Sequence, residues 1–338
     1  MQPLAIVLLA SAVLVGSTAR AHHSSSGFDT NKTITVKGTV TRYEWSNPHV
    51  YIYVQQLTDA GKVEWEVEGA PPSILRRWGW SQVTLHTGDS VTVTGSPSRN
   101  SGNRGLLPTT LARGDTPLFD RKGEVTQLAK VDPAPAVGSK GLEGTWVTLL
   151  ALPVLEKLDD DPTKLPLTPA GAAALKRFDE KTMHPGARCV AMPAPMLMIT
   201  PDLKHIARGE GVILIGGEFD GAQRTIHMNV TTHEGATVST QGHSIGRWDG
   251  QSLVIDTTQF ATHSIGNGYG VPSSAQKHLV ERLTPSANGT SLIYHFELTD
   301  PQFLSAPVQG DVRWEFRPSE KYAPLKCNLE NARRYLKD

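Results

Sequence analysis

The chain is poor in the features that assign a protein to a partner by composition alone. It has two cysteines, Cys189 and Cys327, in 338 residues. At most one disulfide can form, and in an oxidising compartment that pairing is the plain expectation, with a catalytic thiol as the sharper alternative. Neither sign of charge prevails, since 33 Lys and Arg face 33 Asp and Glu. That balance argues against a nucleic-acid groove or an anionic membrane surface as the main partner. Beyond residue 16 no apolar run is long enough to span a bilayer. Long helical periods are scarce as well, whereas 31 Gly and 23 Pro point to β-rich structure with many turns.

One apolar run does occur, over residues 3–16, and it is too short for a spanning helix. Ser17 and Thr18 follow, then Ala19-Arg20-Ala21 as a small-x-small processing site. No Lys or Arg precedes the run, so its N-terminal flank carries only the charge of the α-amine. Residues 1–21 read as a signal peptide, which sends the remainder to the periplasm or out of the cell. Cleavage there would free an α-amine on His22, next to His23. That amine, the His22 ring and one further imidazole, from His23 or His49, form a T-shaped donor set suited to copper. The arrangement is similar to the histidine brace of periplasmic copper chaperones and lytic polysaccharide monooxygenases. The simpler amino-terminal copper motif needs His at the third position, where this chain has Ser24. A His-His tail with no fixed partner is the alternative.

At this length two domains are the natural expectation. Residues 33–45, 49–55 and 62–68 alternate as strands, Pro71-Pro72-Ser73 opens a helical turn, and residues 91–94 and 105–112 give two more strands. Three strands, a helix and two strands is the order of a small five-stranded OB-like barrel, over residues 22–115. Residues 116–140 dissolve into a Pro/Ala linker. From 141 to 338 the pattern is serial strands, including 196–199, with a helix capped by Thr168-Pro169 and tight turns at Asp249-Gly250 and Asn288-Gly289. The fold class is therefore mainly β, the second unit being a larger antiparallel β-barrel or half-barrel, calycin-like, with one or two short helices.

Two resemblances follow from particular motifs. The stretch His22-His-Ser-Ser-Ser-Gly-Phe-Asp29, with Gly38-Thr-Val40, Asn47-Pro-His-Val50 and Leu75-Arg-Arg-Trp-Gly-Trp80, resembles a family of exported bacterial proteins with a domain of unknown function. That implies a small β-barrel and an export signal, and no established activity. Gly242-His-Ser-Ile-Gly-Arg-Trp-Asp-Gly250, Leu253-Val-Ile-Asp-Thr-Thr258 and His278-Leu-Val-Glu-Arg282 resemble a second uncharacterised exported bacterial family. That family carries Pro-His-Ser ahead of its His-x-x-Glu-Arg strand. Here Pro272-Ser273-Ser274 stands instead, so one candidate ligand or acid–base group is missing.

The candidate catalytic set is His243, Arg247, His278 and Glu281. Period two places His278 and Arg282 on one strand face and Glu281 on the other, with Leu279 and Leu283. Asp256 is a candidate orienting carboxylate for His243, with Arg247 as an anion-stabilising cation. An ion-pair network that merely closes the sheet is the alternative. Gly242 to Gly246 matches Gly-x-Ser-x-Gly literally, but it leads into a strand, not a helix, so Ser244 reads as a strand residue. Met192, Met196 and Met198 suit core packing better than a thioether metal site.

Three functions stay open. The first is a periplasmic binding protein holding a small molecule in its second barrel and chelating copper at its mature N-terminus. The second is a hydrolase, lyase or isomerase with no organic cofactor. The third is a non-catalytic module that meets an envelope component. Oligomeric state is left open.

Overall fold

Alternation of β-branched and polar side chains builds the first barrel. In β1 (Ile34–Glu44) Val36 and Val40 point inward and are fully buried. β2 (Tyr51–Thr58) and β3 (Gly61–Glu68) form a hairpin whose turn uses Gly61 at φ 112°. The helix Pro72–Arg77 leads on to β4 (Ser90–Pro97) and β5 (Gly105–Arg113). β1 pairs with both β2 and β4, and β3 meets β5 in parallel at Val67 and Leu106, which closes five strands into an OB-like barrel. The computed structural model describes residues 28–29, 31–46, 49–77, 79–99, 102, 104–120, 138–148, 154, 157–158, 161–200, 202–218, 221–324 and 326–333.

A sixth strand, β6 (Thr116–Asp120), extends β5 over residues expected to be linker. Trp80 explains it: the buried indole donates to Leu118 O at 3.0 Å, so β6 is pinned beneath the helix side of the barrel.

The second barrel closes nine strands. They are β7 (Gly144–Thr148), β8 (Leu203–Gly209), β9 (Val212–Gly217), β10 (Gln223–His227), β11 (His243–Asp249), β12 (Ser252–Thr258), β15 (His278–Pro285), β16 (Ser291–Thr299) and β17 (Val308–Phe316). Their order around the wall is β10-β11-β12-β15-β16-β17-β7-β8-β9. A hairpin, β13 (His263–Gly268) with β14 (Val271–Ser273), lies outside this circuit. All neighbours are antiparallel except β10 and β11, which pair in parallel through Ile226 with Ser244 and His227 with Ile245. Parallel neighbours cannot be joined by a tight turn, so residues 228–242 cross over between them. That crossing matters below, because it carries His233.

Inward positions hold Trp146, Trp314, Tyr294, Phe296, Leu279, Leu283 and Ile255, all fully buried. Thr168 caps the helix Pro169–Arg177 through a bond from Gly171 N to Thr168 Oγ1 at 3.1 Å, as its sequence predicts. Residues 196–199 form a short helix instead of the expected strand. Pro195 at its N-cap has no N–H for a sheet ladder, and all four side chains of the helix are buried, which an alternating strand does not allow. Cys189 and Cys327 are disulfide-bonded, with Cα atoms 5.7 Å apart, and tie the segment after the helices to the C-terminal tail.

Candidate functional site

Alternation along β10, β11, β12, β15 and β16 sends one polar set into the barrel and another onto its outer wall. Inside, Arg224 of β10 donates from Nη1 and Nη2 to Glu281 Oε1 and Oε2 of β15 at 2.8 and 2.7 Å. Both side chains are fully buried. Arg224 Nη2 also reaches Ser244 Oγ at 3.1 Å and Thr257 Oγ1 at 3.2 Å, and Tyr294 Oη donates to Glu281 Oε1 at 2.8 Å. Burial, and then the neighbouring carboxylate, push the Tyr294 hydroxyl well above its ordinary pKa, so it stays a donor. Glu281 is thus saturated by a bidentate cation and a phenol, an arrangement that holds strands together and leaves little of the carboxylate for a substrate.

Near one end of the barrel a second buried group has the same character. Lys277 Nζ donates to Ala194 O at 2.7 Å and Gly266 O at 2.5 Å and lies 4.4 Å from the centre of the Phe260 ring. Burial lowers its pKa to about 7. Burial, followed by the charge of Lys277, lowers that of His263 to about 4.

On the outer wall the geometry is different. Asp256 of β12 sits between two imidazoles. His278 Nε2 lies 3.2 and 3.1 Å from its Oδ1 and Oδ2, and His233 Nε2 lies 3.0 Å from Oδ1. His233 Nδ1 in turn lies 2.9 Å from His243 Nδ1. A carboxylate only accepts, so His278 and His233 both carry their proton on Nε2. His233 Nδ1 then has only a lone pair to offer, and His243 must donate from Nδ1. With the rings in their neutral form, the chain His243–His233–Asp256–His278 ends on two ring nitrogens that carry no proton, His243 Nε2 and His278 Nδ1. His227 stacks on His243 with ring centres 4.8 Å apart. Burial first, then His227 and His233, lower the His243 pKa, which keeps that ring neutral at pH 7.

The backbone explains why these groups meet. Ser239 binds Gln259 O and Ala261 N across the crossover at 3.1 and 2.7 Å, which holds residues 228–242 against the wall. Gly242 enters β11 at φ 70°, and a Cβ there would meet Thr257 Cγ2 and Thr258 O at 2.7 Å, so only glycine delivers His243 at this point.

Of the four residues expected to be catalytic, His243 and His278 are brought together through Asp256, Arg247 lies exposed two residues past Ile245 on the same face, and Glu281 faces inward. Asp256, expected beside His243, contacts His233 and His278 directly and reaches His243 only through His233. His233 and His227 were not anticipated. The one signal for them is that three of the 12 histidines fall within residues 227–243.

His22 and His23 lie outside the described residues. His49 Nδ1 is 3.1 Å from Gly69 O and 3.5 Å from Glu68 Oε1. Among the described residues no group of three or more His, Cys, Asp or Glu is placed to hold a metal ion, and no helix is long and apolar enough to cross a membrane. A polar cleft of about 670 Å³ opens at the end of β1. Its Arg42 is bound to Glu44 at 2.7 Å and stacked 3.7 Å from the Tyr53 ring centre.

A family profile described as a family of unknown function (DUF6152) matches residues 10–108, a span that takes in β1 to β4 and the start of β5. No curated protein matches the chain.

Proposed function

We propose that the protein is an exported, periplasmic binding protein that seats a small polar ligand, or a polar group of an envelope component, on the outer wall of its second barrel. The observation that carries this reading is Asp256 flanked by His233 and His278. Donors and acceptors whose tautomers are set before a ligand arrives lower the cost of binding it. The export reading rests on the leader motif, and the Cys189–Cys327 disulfide suits an oxidising compartment.

Binding is favoured over catalysis because the site is wet. Asp256 is 47% exposed and His278 42%, so water screens the site and developing charge gains little from it. An acid–base mechanism that pairs these imidazoles with Glu281 would need groups on opposite sides of one sheet.

The test is a titration of processed, histidine-labelled protein with putrescine, succinate, maltose and Cu(II), read by ring NMR. At least one class is expected to move His243 and His278 saturably, and Asp256→Asn to abolish the response. No saturable shift from any class would overturn the reading.

A second reading adds copper at the mature N-terminus. His49 is the imidazole that it would use besides those of His22 and His23, and its ring is held with Nδ1 3.1 Å from Gly69 O and 3.5 Å from Glu68 Oε1. Phe28, fully buried, bridges Ser98, and the six residues back to His22 reach at most about 20 Å. Mass spectrometry of the mature first residue and Cu(II) titration of His22→Ala decide the point. Equal affinity in the two proteins removes it.

A further inference from the structure

Strand register maps the wall around this site. One row across it reads Ile245, Asp256, Val280, Glu297 and Gln309, each residue paired with the next. The row above pairs His243 with Thr258 and His278 with Thr299. Asp256 and Glu297 stand two strand spacings apart, about 10 Å, on either side of Val280. Gln309 Nε2 donates to Glu297 Oε2.

The charged groups that flank Val280 in these two rows, Asp256 and Glu297, are acceptors, and the N–H donors of His227 and Gln309 stand at the two ends of the row. In the neutral rings the relay uses its own N–H protons, and His243 Nε2 and His278 Nδ1 then present lone pairs. The carboxylates add two negative charges. Cations begin only in the next row, which holds Arg247 and Arg282, with His295 paired opposite Arg282. Arg282 Nη2 is bound to Asp249 Oδ2 at 2.5 Å, and His295 Nδ1 lies 2.9 Å from Asp311 Oδ1. The wall is therefore divided, with acceptors and negative charge in two rows and cations beside them.

From this division we infer that the ligand of the outer wall is an organic cation with N–H donors, a primary ammonium seated over Val280 between Asp256 and Glu297, with its protons directed at His278 and His243. The inference rests on the binding reading above and names its ligand class. A neutral polyol finds acceptors here but no charge to pair with, and an anion meets two carboxylates. Arg247 marks the edge past which a cation is repelled.

The probes are putrescine and spermidine, with succinate and maltose as controls, read by ring NMR and calorimetry at low and moderate salt. The polyamines are expected to shift His243 and His278 saturably and to weaken as salt rises. Glu297→Gln, a half-buried position outside the relay, should weaken them roughly two- to five-fold. Asp256→Asn, which also removes tautomer control, should weaken them more than tenfold. A saturable response to maltose or succinate in place of the polyamines overturns the cation assignment and leaves the binding reading intact. No response to any probe overturns both. Polyamine binding that Glu297→Gln and Asp256→Asn leave unchanged places the site elsewhere and overturns the assignment.

Discussion

Replacing Glu281 by Gln removes one charge from a pair that is wholly enclosed. Arg224 then keeps a guanidinium with no water and no counter-ion, since its carboxylate partner supplied both short bonds. Breaking a buried pair on one side costs about 3–5 kcal/mol, because the remaining charge stays desolvated. Tyr294 keeps an acceptor of lower charge, which adds up to about 1 kcal/mol. For a unit of this size the melting temperature should fall by roughly 10–15 °C. Arg224→Met leaves Glu281 stranded and should cost as much. The double variant Arg224→Met with Glu281→Leu strands nothing, so it should be far more stable than the sum of the singles, within about 1 kcal/mol of the parent or above it. Urea unfolding of all four proteins, followed by tryptophan fluorescence and circular dichroism, supplies the cycle. Single substitutions costing under about 1 kcal/mol, or a double variant that loses the sum of both, would refute the assignment of Glu281 to structure. The same folded double variant should keep the ligand response of His243 and His278.

His263 predicts an acid limb. Its folded pKa of about 4 lies below the ordinary 6.5, so its stabilisation is complete above pH 6.5, is lost as pH falls from 6.5 towards 4, and amounts to roughly 3 kcal/mol. His263→Met should flatten that part of the stability–pH curve in urea titrations at pH 7.5 and pH 5, and an unchanged slope would refute the burial argument. The disulfide closes a separation of 138 residues, worth roughly 5 kcal/mol in the chain-entropy model. Cys189→Ser with Cys327→Ser should lower the denaturation midpoint accordingly, and reductant should leave that variant unaffected. Thr168→Ala removes the cap on Gly171 N and should cost about 1 kcal/mol, read in the same assay, with no change in the histidine NMR of the outer wall.

Much of the architecture was legible in local pattern, since turn chemistry and period two are properties of neighbouring residues. Gly250 and Gly289 take positive φ as their turns require, and His278 and Glu281 fall on opposite faces. The short helix Met196–Ile199 was not legible because four consecutive apolar residues carry no period, and the proline before them decided the outcome. β8 hid for a related reason: Lys204 is fully buried there, with Nζ on Asp202 Oδ1 at 2.7 Å, so its charge disguised an inward position. The site was half legible. His243, His278 and Asp256 stand on strands whose alternation can be read. His233 reaches them only because β10 and β11 are parallel, and no local pattern announces a crossover that folds back over its own sheet.

The central claim is that Asp256 organises three imidazoles on the outer wall while the interior pair does structural work. Nitrogen NMR of the histidine rings at pH 7.5 tests it most directly, by comparing the parent protein with Asp256→Asn. The account predicts a proton fixed on Nδ1 of His243 and on Nε2 of His233 and His278 in the parent, with all three losing that fixed state in the variant. Rings that exchange freely between tautomers in the parent, or that keep their protons in place without the carboxylate, would contradict it.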